Sequence, residues 1–115
     1  MKNISTEEFN KIFFDINQKE DRNFKCPKPI IFDFYADWCG PCKAITPILE
    51  SLNKDIEIIK INIDNEDKLS NFFKIRSIPA LLFVPANSNL SESKMEIGMK
   101  SKEAMNKHVK EYFNI

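Results

Sequence analysis

Cys39 and Cys42 stand three positions apart where an apolar run, Ile30 to Ala36, gives way to a stretch with helical spacing. Two thiols in the first turn of a helix share a face with Cα atoms roughly 5 to 6 Å apart, inside the window of an unstrained disulfide. The pair can therefore close and open, and the chemistry it offers is exchange with another disulfide. The helix start makes the two sulfurs unequal. Cys39, at the tip, meets unpaired backbone N–H groups and the positive end of the helix dipole, whereas Cys42 lies a turn deeper, against the sheet. Cys39 is expected to attack as the thiolate, and Cys42 to break the mixed disulfide that results. Lowering a thiol from about 8.5 to about 7 takes about 2 kcal/mol, while a helix terminus contributes only about 0.3 to 1 kcal/mol. Hydrogen bonds to the Cys39 sulfur must add the rest. A metal site is the competing reading of a C-x-x-C. Zinc wants four ligands, and the remaining Cys and His are Cys26 and His108, distant in sequence and in no ligand pattern. A buried, inert pair is the other, and Trp38, Gly40 and Pro41 around a helix start argue for access instead.

The elements that must position the pair follow from periodicity. Ser5-Thr6-Glu7-Glu8 is a capping-box sequence, followed by Phe9, Ile12, Phe13 and Ile16 at the spacing of an amphipathic helix. Asn17 to Lys28 is polar, holds Asp21, Asn23 and Pro27, and reads as a connector with at most a short extended piece around Phe24. Ile30 to Ala36 lacks polar alternation, as a strand covered on both faces does. Asp33 interrupts it, and a carboxylate buried there is costly unless protonated or paired; the bland alternative is an Asp on a solvated face. A second helix is predicted from about Cys39 to Asn53, kinked by Pro47. Ile56 to Ile63 follows as strand, Leu69, Phe72 and Phe73 mark a short helix, and Leu81 to Val84 is strand directly after Pro79. Pro85 to Ser93 is loop, Lys94 to Ile97 an edge strand ended by Gly98, and Met105, Val109, Tyr112 and Phe113 line a last helix opened by Ser101. The order is αβαβαββα, with any strand before the first helix reduced to Lys2 to Ile4.

Composition removes other functions. The 115 residues fit one domain, 1–115, with a single α/β core. Lys plus Arg and Asp plus Glu number 17 each, so a zero net charge argues against nucleic-acid binding or a polybasic membrane adaptor. No apolar run approaches the ~18 residues of a membrane span, and Met1 to Glu8 lacks a signal-peptide layout, so the expected location is the cytoplasm.

Four blocks, in order, carry a resemblance: Trp38-Cys39-Gly40-Pro41-Cys42-Lys43, Lys60-Ile61-Asn62-Ile63-Asp64, Ile75-Arg76-Ser77-Ile78-Pro79, and Gly98 before the last helix. In them the chain, from about Ile30 to Phe113, is similar to the thioredoxin family. The resemblance implies the thioredoxin fold, a central mixed sheet of four or five strands flanked by helices. It implies a protein-disulfide reductase that works through Cys39 and Cys42 without a bound cofactor, acts on disulfide-containing proteins as a monomer, and is restored by an NADPH-dependent thioredoxin reductase. It further implies Asp33 as general base for Cys42, Lys60 as its charge partner, a cis Pro79 whose preceding residue, Ile78, pairs with an extended substrate, and Gly98 on the rim of the substrate groove. Trp38, next to Cys39, is expected to lie over the disulfide and touch substrates, beside Gly40 and Pro41. That dipeptide is the reducing type's, whereas oxidases and isomerases of this fold tend to carry a histidine there.

The departures from the family pattern are Lys74 and Ser77 where glycines are common, Tyr35 where a second tryptophan is frequent, and the long stretches 17–28 and 85–93. Cys26 has no counterpart and is expected to be a passive or adventitiously reactive thiol; His108 and Tyr112 are expected to pack. Beside the reductase stand two other readings: a disulfide oxidase or isomerase, and a binding module or accessory subunit in which the cysteines matter little.

Overall fold

The structure, a computed structural model, describes residues 1–18 and 24–115. Its elements are β1 (Lys2–Asn3), α1 (Thr6–Ile12), β2 (Ile30–Tyr35), α2 (Gly40–Glu50), β3 (Glu57–Asn62), α3 (Asp67–Phe72), β4 (Ala80–Val84), a 3-10 turn (Leu90–Glu92), β5 (Lys94–Ile97) and α4 (Lys102–Phe113). One five-stranded sheet in the order β1-β3-β2-β4-β5 organises them. β2 pairs parallel to β3 and antiparallel to β4, which makes the sheet mixed and sets β2 at its centre. That is why Ile30 to Phe34 is buried on both faces and shows no polar alternation except Asp33.

Alternate residues of β2 point to opposite faces. Ile30, Phe32 and Phe34 join Phe9, Phe14, Phe24, Ile59 and Leu69 in one core, with Phe13, Phe72 and Phe73 packed against it. Eight of the ten phenylalanines meet there, Phe9 alone lying within 6 Å of the rings of Phe13, Phe14, Phe32 and Phe73. Each such ring, fully buried, contributes about 1.5 to 3 kcal/mol. Ile31 faces the other way, into a second core with Ile45 and Leu49 of α2 and Met105, Val109 and Phe113 of α4. Asp33 and Tyr35 share the face of Ile31, so the sheet delivers them toward α2.

The first helix is shorter than its apolar stripe predicts. The Ser5–Glu8 capping box forms, but the helix stops at Ile12 with Phe13 as its C-cap, leaving Ile12 53% exposed and turning Phe14 into the core instead. Asn10 Oδ1 accepts from the Ile16 N–H at 3.1 Å and holds this turn, so Ile16 reaches the core from outside the helix. A short β1 precedes α1, pairing Lys2 with Ile59 and Asn3 with Lys60 in parallel, which puts one more strand in the order than the periodicity suggests. α2 ends at Glu50, three residues before Asn53, and continues through Pro47 without a break. Phe24 lies in no strand but is buried; Asp21 and Asn23, assigned to the same connector, lie outside the described residues. The loop 85–93 contains the 3-10 turn, held by Asn89 Oδ1 accepting from the Ser91 N–H.

Candidate functional site

The chain leaves β2 at Tyr35 and enters α2 at Gly40, so the sheet's centre presents Cys39 as the N-cap of a helix. An N-cap residue supplies a side-chain acceptor to an orphan N–H, a task usually done by Ser, Thr, Asp or Asn. Here it is sulfur: the Cys42 N–H donates to Cys39 Sγ at 3.2 Å. A thiolate in that position accepts the same bond in charge-assisted, hence stronger, form. Pro41 sits in the first turn, where its missing N–H costs nothing. Cys39 and Cys42 are joined as a disulfide with Cα atoms 5.3 Å apart. They pack with Ala36, and Tyr35, Ile63 and Ile78 lean on them. Cys39 is 5% exposed and Cys42 2%, while Gly40 and Pro41 are open to solvent.

Asp33 is not on a solvated face: it is fully buried, paired in register with Lys60 on β3 and Leu81 on β4. Burial pushes its carboxyl up to about 6, against the opposing pull of the Lys60 ammonium. Lys60 Nζ lies 3.9 Å from Asp33 Oδ2 and 4.4 Å from the centre of the Tyr35 ring. Among the described residues neither carboxylate oxygen has a hydrogen-bond partner. A cleft of about 130 Å³, room for a few waters, runs beside the pair and is lined by Tyr35, Ala36, Asp37, Cys42, Lys43, Thr46 and Lys60. It is a solvent path that touches both Cys42 and the lysine.

Of the other predicted residues, Ile78 packs against the disulfide, and the rest are placed by backbone and side-chain bonds of their own. The Ile78–Pro79 peptide bond is cis, the isomer that the resemblance implies, and Gly98, at φ 92°, donates its N–H to the Pro79 carbonyl at 2.8 Å. That φ favours glycine, and the bond ties the end of β5 to the start of β4. Trp38 is 69% exposed, with its indole N–H donating to Asp64 Oδ2 at 2.8 Å. Ile97 and Met99, flanking Gly98, are 54% and 46% exposed. Asp64 ends the Lys60–Asp64 block, and nothing local in sequence signals its partner 26 residues away. Cys26 is half-buried near the start of β2, the end opposite Cys39, and burial, then Glu57, pushes its thiol up, as suits a passive one. His108 and Tyr112 pack, stacked on each other beside Phe83. Among the described residues no group of three or more His, Cys, Asp or Glu is placed to hold a metal ion. Nor is any helix long and apolar enough to cross a membrane.

A disulfide-forming cysteine pair at the start of the helix that follows the central strand of a mixed five-stranded sheet defines a thiol–disulfide oxidoreductase. The thioredoxin family model matches residues 4–111, and the chain belongs to the thioredoxin family. It is 32% identical to a thioredoxin of Borreliella burgdorferi over 114 residues, covering 96% of this chain and 95% of that one. A thioredoxin of Rickettsia bellii is 32% identical over 90 residues, covering 75% and 83%. A solved mutant thioredoxin from Halobacterium salinarum NRC-1 superposes with a TM-score of 0.66 at 27% identity, covering 76% and 77%. The chain is therefore a protein-disulfide reductase acting by dithiol–disulfide exchange.

Proposed function

We propose that the chain is a general reductant of protein disulfides in the cytoplasm, acting as a single-domain monomer and restored by an NADPH-dependent thioredoxin reductase. The observation that carries the reading is the asymmetry of the pair: Cys39 Sγ already accepts a backbone N–H at the helix tip, and Cys42 lies deeper. The Cys39 thiolate attacks a target disulfide, forming a mixed disulfide and releasing the first target thiolate. Cys42, its proton taken by Asp33, then attacks the Cys39 sulfur, releases the second target thiolate and closes the Cys39–Cys42 bond. Two electrons pass to the target. Lys60 is the counter-charge of Asp33; Trp38, Gly40, Pro41, Ile78, Pro79 and Gly98 form the surface on which an extended target segment lies.

The test is reduction of insulin disulfides with NADPH and thioredoxin reductase. Cys42→Ser should accumulate a mixed disulfide through Cys39, and Cys39→Ser should form none. A wild-type protein that passes no electrons to insulin overturns the reading. Equilibration with glutathione separates reductant from oxidant, since thioredoxins poise at about −270 mV and a strong oxidant of this chemistry at about −120 mV.

A further inference from the structure

The Lys60 ammonium has an unusual choice of neighbours. Its side chain is 18% exposed, its tip borders a solvent cleft, and its carboxylate partner stands 3.9 Å away. A charge-assisted N–H···O bond is made at about 2.7 to 2.9 Å, so the carboxylate alone does not fix where the ammonium sits. The second contact is the face of Tyr35, 4.4 Å from Nζ, well inside cation–π range. Tyr35 and Asp33 lie two residues apart on the same face of β2, and Lys60 is the register partner of Asp33 on β3. The three groups therefore meet by sheet geometry.

We propose that Tyr35 is a positioning residue: its ring holds the Lys60 ammonium beside Asp33 and so sets how readily Asp33 takes the Cys42 proton. The proposal deepens the reading of Asp33 as base and rests on it. Among the described residues, the charged and titratable groups lining this cleft are Lys60 from β3, Tyr35 from β2, Cys42 and Lys43 from α2, and Asp37 from the loop between; Leu81, facing Asp33 from β4, is uncharged. Without the ring, Lys60 is free to turn toward Asp37 and the water of the cleft. The Asp33 carboxylate then loses part of its counter-charge and holds its proton to higher pH.

The experiment follows the Asp33 carboxyl carbon by NMR across pH in the oxidised protein, where Cys39 and Cys42 do not titrate. Tyr35→Phe, which keeps the ring, should leave the Asp33 midpoint in place. Tyr35→Leu should raise it by about half a pH unit, and should raise it no further in a Lys60→Met background. In the wild-type protein, which needs no substitution to fold, the Lys60 ε-protons should resonate upfield under the ring current of Tyr35. Ordinary ε-proton shifts, an unmoved midpoint in Tyr35→Leu, or an equal rise without Lys60 overturns the proposal. Undiminished insulin reduction by Asp33→Asn instead overturns the base reading, and leaves the effect of Tyr35 on Asp33 separately readable.

Discussion

Asp33 and Lys60 face each other across β2 and β3, and the ammonium stops 3.9 Å short of a carboxylate that is itself wholly buried. The partner is too distant and too wet to repay the loss of water around the charge, so the carboxyl rises from 3.8 to about 6. The sign for stability follows. Below 3.8 the carboxyl is protonated in folded and unfolded chains alike, and nothing is lost. Between 3.8 and about 6 the unfolded chain ionises first, and the fold loses stability as pH rises, reaching a constant penalty of about 3 kcal/mol above that window. Asp33→Asn is expected to stabilise the oxidised protein by about 2 to 3 kcal/mol at pH 7 to 8 and by little at pH 4, read from urea midpoints. A gain of equal size at both pH values would mean that packing, not charge, is responsible. The same variant should reduce insulin more slowly.

Trp38 is the chain's one tryptophan, and its exposed ring is anchored to Asp64. An exposed aromatic beside a reactive sulfur is useful to a binding surface when it is held still, because less freedom is then lost as the partner docks. Asp64→Ala should therefore raise KM for insulin about two- to five-fold, corresponding to the roughly 0.5 to 1 kcal/mol of a lost hydrogen bond, while kcat changes little. Trp38 emission should respond to reduction of the disulfide in both proteins. A fall in kcat with KM unchanged would assign Asp64 to the chemistry instead.

What was legible in the sequence was what is local in it. The cysteine pair, its helix start and the odd Asp33 lie within ten residues, and the strand–helix boundary that positions them is a change of period. The stripe Phe9, Ile12, Phe13, Ile16 misled because periodicity cannot see a stop: Asn10 caps a turn after Ile12, and Phe14 enters the core in its place. β1 is two residues long and exists through its pairing with β3, nearly sixty positions later. The Trp38–Asp64 bond and the Tyr35–Lys60 contact likewise join separate elements. Such pairings depend on how the strands and the turns after them come together, which leaves no trace in spacing.

Lys74 shows a departure from the family pattern at work. It follows α3 with φ 57°, and its N–H donates to Asn71 O while the Ile75 N–H donates to Ser70 O. This is the paired arrangement that closes a helix through one left-handed residue, a position glycine fills without steric cost. The lysine holds it at a strain of about 1 to 2 kcal/mol, part of which glycine would lose again to its freedom in the unfolded chain. Lys74→Gly is expected to stabilise by about 0.5 to 1 kcal/mol, seen as a rise in Tm. Lys74→Ala, which removes the charge but keeps the Cβ, should give no such gain. Equal gains from both would trace the effect to charge.

Tyr112 and Glu96 join α4 to the edge strand β5 by a hydrogen bond of 2.5 Å from the phenol to Glu96 Oε2. Glu96 Oε1 also lies 3.5 Å from His108 Nε2, and the imidazole stacks on the phenol. Donating to a carboxylate, with some burial and the charges of Glu96 and Glu111 adding to it, pushes the phenol from 10 up to about 12. The protonated phenol is thus the form the fold favours. Its contribution is fully present below pH 10 and is lost as pH rises from 10 to about 12, where the folded phenol ionises. Ultraviolet titration should show a phenolate step near 12 that is missing in Tyr112→Phe and moves down toward 10 in Glu96→Gln. Over the same window Tm should fall more steeply in the wild type than in Glu96→Gln, because only the wild type has this bond's charge to lose. A wild-type phenol that ionises at its ordinary value would show that Glu96 does not grip it in solution, and that Tyr112 is held by its packing on Phe83 of β4.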